Sequence, residues 1–474
     1  MKFSCPNLLI SGLIPLAVTS CNSSKKENKP NVILVIADDM GYGDLGLYGQ
    51  TTLSTPHIDK MAAEGMFFTN MYTGSTVCAP SRACLLTGKD TGHSSVRGNA
   101  GLQKVGDDEL TLAKIFSQAG YTTGAIGKWG MGTILPPDDP QRKGFEYFYG
   151  YINMWHAHNF YPEYLYLNGE RVPLNNQTRL RDGVNPWYDS LRDGMGVAEV
   201  RNEYAPYLFR EKSLSFIEEN KDNKFFLYLA FNTPHANNEA RPDGMEVHNY
   251  YEFANLDWPE QEKGFAAMIR DIDTSVGAIL VRLKELNLDK NTLVLFCSDN
   301  GPHQEGGHKV DFFDSNGDLR GMKRDMYEGG IKTPFIAWWP GTIESGTRSD
   351  EVFAFWDFLP SFADLTGVTI TSYTDGISFM PTLLGKRQKE KHDHLYWEFY
   401  ERGGKQAILK DNWKAVRLNV RDTEQTPVTE LFDLSVDPEE IISVAQQYPE
   451  RVAEMEKLFV SSRVEFESDS LFRK

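Results

Sequence analysis

Two short stretches of the chain set hard oxygen donors side by side: Asp38-Asp39, and Asp299-Asn300 within Ser-Asp-Asn-Gly. Carboxylates and an amide carbonyl suit Ca2+ or Mg2+, whereas a zinc site would draw on histidine or thiolate. Lys128 in Gly-Lys-Trp and His235 in Asn-Thr-Pro-His add a fixed positive charge and a group able to carry a proton. A fifth feature is Cys78, directly before Ala-Pro-Ser-Arg. Pro80 suits the first turn of a helix, which puts Cys78 near a helix N-terminus. That position favours negative charge at the side chain, and Arg82 one turn on acts in the same direction. An ordinary buried structural cysteine is the competing reading, and these residues alone name no reaction.

Each of these groups except Cys78 follows an apolar run. Residues 31–37 (NVILVIA) read as a fully buried strand stopping at Asp38. Residues 292–297 (TLVLFC) lead straight into Ser298-Asp299, residues 225–231 (FFLYLAF) into the segment ending in His235, and residues 121–126 (YTTGAI) into Gly127-Lys128. Such runs alternating with helical patterns predict an α/β fold with a large, mostly parallel sheet flanked by helices. In open parallel sheets, ligands bind beyond the carboxyl ends of the strands, so one edge would collect all six polar residues. This catalytic unit is expected over 31–350. A smaller C-terminal α+β subdomain is expected over 351–474. Its antiparallel strands are HLYWEFY, QAILKD, WKAVRL and VTELFDL, and its helix runs from about 448 to 466.

A formal charge of −17 argues against a nucleic-acid partner but leaves room for an anionic substrate in a locally basic pocket. Of five cysteines, Cys5 and Cys21 fall in an N-terminal segment with an apolar run at 8–18. Val18-Thr19-Ser20-Cys21 resembles a bacterial lipobox, and residues 22–30 (NSSKKENKP) read as a flexible tether. The expectation is a signal peptide over 1–21 and an exported lipoprotein of the cell envelope held by a lipid anchor. It would be periplasm-facing, because the tether has no acidic run. The remaining Cys78, Cys84 and Cys297 have neither disulfide-framework nor paired zinc spacing.

Taken together, these segments resemble the formylglycine-dependent sulfatases of the alkaline-phosphatase-like superfamily. Residues 78–88 match the family signature C-x-P-S-R-x-x-L-x-T-G without a gap. PNVILVIADDMGYGDLG, GYTTGAIGKWG, FNTPH, SDNGP and MYEGGIKTP follow the family's order. The resemblance implies that Cys78 is oxidised to formylglycine by a cysteine-type maturation enzyme. It also implies that Asp38, Asp39, Asp299, Asn300 and modified Cys78 bind Ca2+, and that Arg82 holds the formylglycine hydrate. By the same resemblance Lys128 and Lys323 bind the sulfate oxygens and His235 protonates the leaving oxygen, with Asp299 our choice of base. One departure is clear: where the family commonly has Gly-Lys-Trp-His, this chain has Gly130, and His93, His158 and His303 are the candidate substitutes.

The loops HSSVRGN, WHAHNFYP and PHQEGGHK are expected around the same edge. Arg97, His158 and His303 are candidate substrate contacts; Asn99 is another hydroxyl partner, and Trp155 or Tyr161 could stack on a sugar. Arg402, in a turn before two glycines, could lean over the pocket. Similar loop wording in bacterial glycan sulfatases implies a sulfated galactose or N-acetylgalactosamine, 4-O ahead of 6-O. The rival readings are a formylglycine-dependent phosphodiesterase or phosphonate monoesterase, and a catalytically silent glycan-binding lipoprotein.

Overall fold

A computed structural model describes residues 1–3, 29–99, 103–131, 139–180 and 193–465. Lipobox and signal-peptide expectations fall on residues outside this set, as does most of the tether. Strand β1 (Asn31–Asp38) is buried along its whole length, as its unbroken apolar run predicts. It lies at the centre of a ten-stranded sheet whose other strands, in chain order, are β2 (Met66–Phe68), β3 (Thr122–Lys128), β4 (Tyr147–Tyr151), β5 (Tyr164–Leu167), β6 (Glu170–Pro173), β7 (Phe225–Pro234), β8 (Thr292–Ser298), β9 (Phe335–Trp338) and β10 (Thr347–Ser349). The spatial order is β10-β2-β9-β8-β1-β7-β3-β4-β5-β6. The central run β8-β1-β7-β3-β4 is parallel throughout.

Alternation along β1 divides the core. Ile33, Val35 and Ala37 face one apolar cluster with helices α1 (Pro56–Ala63), α4 (Ala205–Glu219) and α5 (Glu260–Glu285). Val32, Leu34 and Ile36 face the other, with α2 (Cys78–Thr87), α3 (Leu112–Gln118) and α6 (Phe358–Thr366). Each large aliphatic side chain so buried contributes roughly 1.5–3 kcal/mol relative to exposure.

Strand β7 runs three residues beyond the apolar segment 225–231. Its partner β1 pairs with it as far as Asp38–Pro234, after the register shifts at a β-bulge between Ile36 and Asp38. Toward the C-terminus, β11 (Leu395–Phe399), β12 (Lys405–Lys410), β13 (Trp413–Leu418) and β14 (Val428–Asp433) form an antiparallel sheet. One face packs Trp397, Leu409 and Phe432 against Val77, Cys84 and Trp356; the other is covered by α7 (Pro449–Ser461) through Met455 and Phe459. The helix stops at Ser461 instead of reaching 466, with Ser462 as its C-cap. No helix among the described residues is long and apolar enough to cross a membrane.

Candidate active site

Because β8, β1, β7 and β3 are adjacent and parallel, their carboxyl ends lie on one edge, and the polar residues that follow them converge there. Oxygens of Asp38, Asp39 and Asp299 lie within 4.8 Å of one another, all three residues fully buried. Asp39 adopts φ 67°, a left-handed conformation uncommon for a non-glycine residue and one that recurs at functional sites. Asn300 donates its Nδ2 to Asp39 Oδ1 at 2.7 Å, leaving Asn300 Oδ1 buried without a hydrogen-bond donor; Asp38 Oδ1 is in the same state. Buried acceptors left without a donor beside three carboxylates are what a hard divalent cation would satisfy, so the residues fit the metal the sequence implies.

Three cations face the three carboxylates. Lys128 Nζ lies 2.6 Å from Asp38, Lys323 Nζ 2.7 Å from Asp39 and Arg82 Nε 2.8 Å from Asp299. Burial pushes Asp38 upward, but Lys128, His235 and Arg82 outweigh it and hold the carboxyl well below its ordinary range. Asp299 goes the other way, to about 7, because burial and the neighbouring Asp38 and Asp39 prevail over Arg82 and Lys128. With the cage charges already balanced by these cations, a bound dication would leave net positive charge and draw an anion.

Helix α2 explains why the Pro-Ser-Arg order matters. Its ten residues are all buried, and Gly88 ends it at φ 69°. Ser81 Oγ donates to Asp299 O at 2.5 Å and accepts from Gly74 N at 3.0 Å, pinning the helix to the end of β8. Arg82 spans three strands, reaching Asp299, Lys128 O at 2.7 Å and the Asp38 carboxylate at 3.6 Å. Cys78 therefore sits at the first helical position, 2% exposed, in a cleft of about 390 Å³ lined by Asn99, Trp155, His158, His235, Lys323 and neighbours. Contrary to the expected bias toward a thiolate, burial raises the thiol's pKa, and Asp38 and Asp299 add to it against Lys128 and Lys323. Cys84 packs in the core.

His235 donates Nδ1–H to Ala236 O at 2.7 Å, so its Nε2 faces Lys323 Nζ at 3.0 Å. Burial, then Lys323, lower its pKa well below the ordinary value. His158 stacks on it at 4.6 Å between ring centroids and lines the cleft.

Other sequence candidates lie elsewhere. Arg97 is not a pocket contact: it is 1% exposed, with Nη1 2.7 Å from Glu398 Oε1 and 3.2 Å from Tyr400 Oη. Burying an arginine requires such a charge partner, and the C-terminal sheet supplies it. His303 does not line the cleft either. Fully buried, it donates Nε2–H to Pro234 O at 2.9 Å and accepts from Glu305 N at 3.0 Å, so both nitrogens are engaged behind His235. His93 contacts Asp90 and Asp375, beyond the far end of α2, about 15 Å of helix rise from Cys78. Tyr161 is buried in the core.

Glu305 went unnoticed in the sequence. Its carboxylate holds Lys323 at 3.2 Å, Arg324 at 2.6 Å and Asn238 at 3.0 Å. Glu239 and Glu401 line the cleft as well. PHQEGG carries no signal of this, since the cations arrive from residues 323 and 324.

Comparison with known proteins decides the family. The sulfatase family model matches residues 30–368. This chain belongs to the sulfatase family. A second model, the C-terminal region of N-sulphoglucosamine sulphohydrolase, matches residues 321–465. This sulfatase is 30% identical over 407 residues to N-acetylgalactosamine-6-sulfatase of Canis lupus familiaris, covering 81% of this chain and 72% of that one. It is 30% identical over 479 residues to arylsulfatase A of Bos taurus, covering 90% and 87%. Its fold matches, at a TM-score of 0.73 and 26% identity, a structure from work on glycosaminoglycan metabolism by Bacteroides thetaiotaomicron, covering 92% of this chain and 99% of that one. It is a sulfuric ester hydrolase of the alkaline-phosphatase-like superfamily.

Proposed function

We propose that this sulfatase removes sulfate from galactose or N-acetylgalactosamine residues of glycosaminoglycan or mucin oligosaccharides. The observation that carries this reading is the position of Cys78, which lines a cleft together with Lys323, His235, Trp155, Asn99 and Glu401, while Lys128 and Lys323 are each paired with a carboxylate of the oxygen cage. Loop wording in the sequence puts the 4-O ester first; the relative named for the 6-sulfate brings the 6-O ester level with it.

In this reading Cys78 is matured to formylglycine by a cysteine-type maturation enzyme, and Asp38, Asp39, Asp299, Asn300 and the matured residue hold Ca2+. Together these groups supply an activated hydroxyl nucleophile. The chain's own residues do the rest. Lys128 and Lys323 hold the sulfate oxygens, and Arg82 keeps the cage and the helix terminus in one geometry. Asp299, beside the first helical turn that carries Cys78, is the base, and His235 Nε2 passes a proton to the departing sugar oxygen. His235 must gain that proton first, and an anion seated between the lysines favours this by offsetting the charge of Lys323. Of the three histidines weighed for the place of Gly130, His158 is the one lining the cleft. Gly130 itself has φ 73°, and a Cβ there would lie 3.2 Å from Lys128 Cε. The protein is an exported, lipid-anchored enzyme in this proposal, acting on oligosaccharides in the envelope.

The test is inorganic sulfate release from 4-O- and 6-O-sulfated N-acetylgalactosamine by protein co-produced with the maturation enzyme, with Cys78→Ala alongside. Peptide mass over residues 76–88 reports the conversion. Release from one isomer, absent in the variant, supports the reading; converted protein releasing sulfate from neither isomer rejects the sugar assignment.

A further inference from the structure

The cleft does not end at the sulfate seat. A second depression of about 450 Å³ adjoins it and shares Arg241, Lys323 and Arg324 with it. The two lobes differ in charge. In the Cys78 lobe, Glu239 and Glu401, whose ion-pair contacts are long at 3.8 Å to His158 and 4.0 Å to Arg324, stand with Asn99, Asn238 and Trp155, groups that bond sugar hydroxyls and stack on a ring face. In the adjoining lobe the acids are already spent: Glu305 is held by Lys323 and Arg324, and Asp325 by Lys405 at 2.8 Å. Arg241 and Arg402 remain. Arg241 Nη2 meets only an amide oxygen, Asn238 Oδ1, at 3.1 Å. Among the described residues neither guanidinium has a carboxylate within 4 Å.

The turn between β11 and β12 produces this division. Arg402, Gly403 and Gly404 are successive left-handed residues, with φ 52°, 82° and 74°. The reversal puts Glu401 on the wall of the first lobe and Arg402 on the wall of the second.

We propose that the second lobe is a subsite for an anionic group on the sugar adjoining the sulfated residue, read by Arg402 and Arg241. The shared chemistry is a fixed negative charge, supplied by a hexuronate carboxylate or by a further sulfate ester. Guanidinium pairs with either in a forked geometry, while the carboxylates of the first lobe turn such a charge away from the reacting sugar. This inference rests on a carbohydrate sulfate as substrate.

Sulfate release is measured on four substrates: the sulfated monosaccharide, and the same sugar joined to a neutral hexose, to a hexuronate, and to a hexose carrying its own sulfate. A preference of about tenfold in kcat/KM for the acidic disaccharides over the neutral one is expected, the gain of one well-formed charged pair. The two acidic arms separate carboxylate from sulfate as the source. Arg402→Glu and Arg241→Glu should bring the acidic-to-neutral ratio close to one, and Arg402→Lys should restore part of it. Equal rates on neutral and acidic disaccharides, or variants that slow all four substrates in proportion, would overturn the subsite. Calorimetric binding of the same sugars to Cys78→Ala protein reads the preference without turnover. A preserved binding preference with no sulfate release would count against the assigned sulfated sugar; its absence would count against the subsite.

Discussion

Lys323 Nζ lies 3.0 Å from Nε2 of His235, whose Nδ1–H is committed to the Ala236 carbonyl. The imidazole is thereby fixed in one tautomer, with its lone pair turned toward the ammonium and the cleft. A proton delivered to substrate has to leave from that nitrogen. His235→Ala should therefore cost about 10²–10⁴-fold in kcat on a sugar sulfate, whose alkoxide leaves poorly without a proton. On 4-nitrophenyl sulfate, whose phenolate leaves unaided, the loss should stay under about tenfold. Equal losses on both substrates would remove the proton from the explanation and leave a packing role.

Asn300 Oδ1 and Asp38 Oδ1 are buried without a hydrogen-bond donor. Calcium at a hundredfold its Kd should stabilise the protein by about 2.7 kcal/mol, seen as a rise in Tm that a chelator reverses. Asn300→Leu removes one oxygen and should blunt the rise, while Asn300→Asp keeps an oxygen donor and should retain it. A leucine variant that responds to calcium as the parent does would exclude Asn300 from the ligand set.

His93 should carry a pH-dependent part of the stability. Hydrogen bonds to Asp375 and Asp90 raise its pKa from 6.5 to about 10, against the opposing pull of burial. Protonation is thus favoured in the folded state, so the stabilisation is complete below about pH 6.5 and fades as pH climbs toward 10. The Tm difference between the parent and His93→Gln should be widest at pH 6 and narrow steadily by pH 10. A difference that does not change with pH would mean that the contact, not the charge, matters.

How much of this could be read from the sequence follows from which interactions are local. Asp38, Lys128, His235 and Asp299 were legible because each ends or follows a buried apolar run, and parallel strands bring such ends to one edge. The bias of Pro80 toward the first turn placed Cys78 at the helix start. Arg97 and His303 misled because a loop residue's facing is set by partners far along the chain: Glu398 lies 301 residues from Arg97, and Pro234 lies 69 from His303. Glu305 was hidden for the same reason, since its role exists only once residues 323 and 324 fold over it. The extent of β7 eluded the apolar pattern because it is set by pairing with β1 and not by its own composition.

The burial of α2 also bears on timing during biosynthesis. With Cys78 2% exposed at the cleft and every residue of its helix buried, no second protein could lay hold of the surrounding Ala-Pro-Ser-Arg once the chain has folded. Any enzyme that rewrites this side chain has to meet it as an open strand of polypeptide, before the sheet closes around it. If Cys78 is matured as proposed, the competition between that encounter and folding sets what fraction of the finished molecules carries the change.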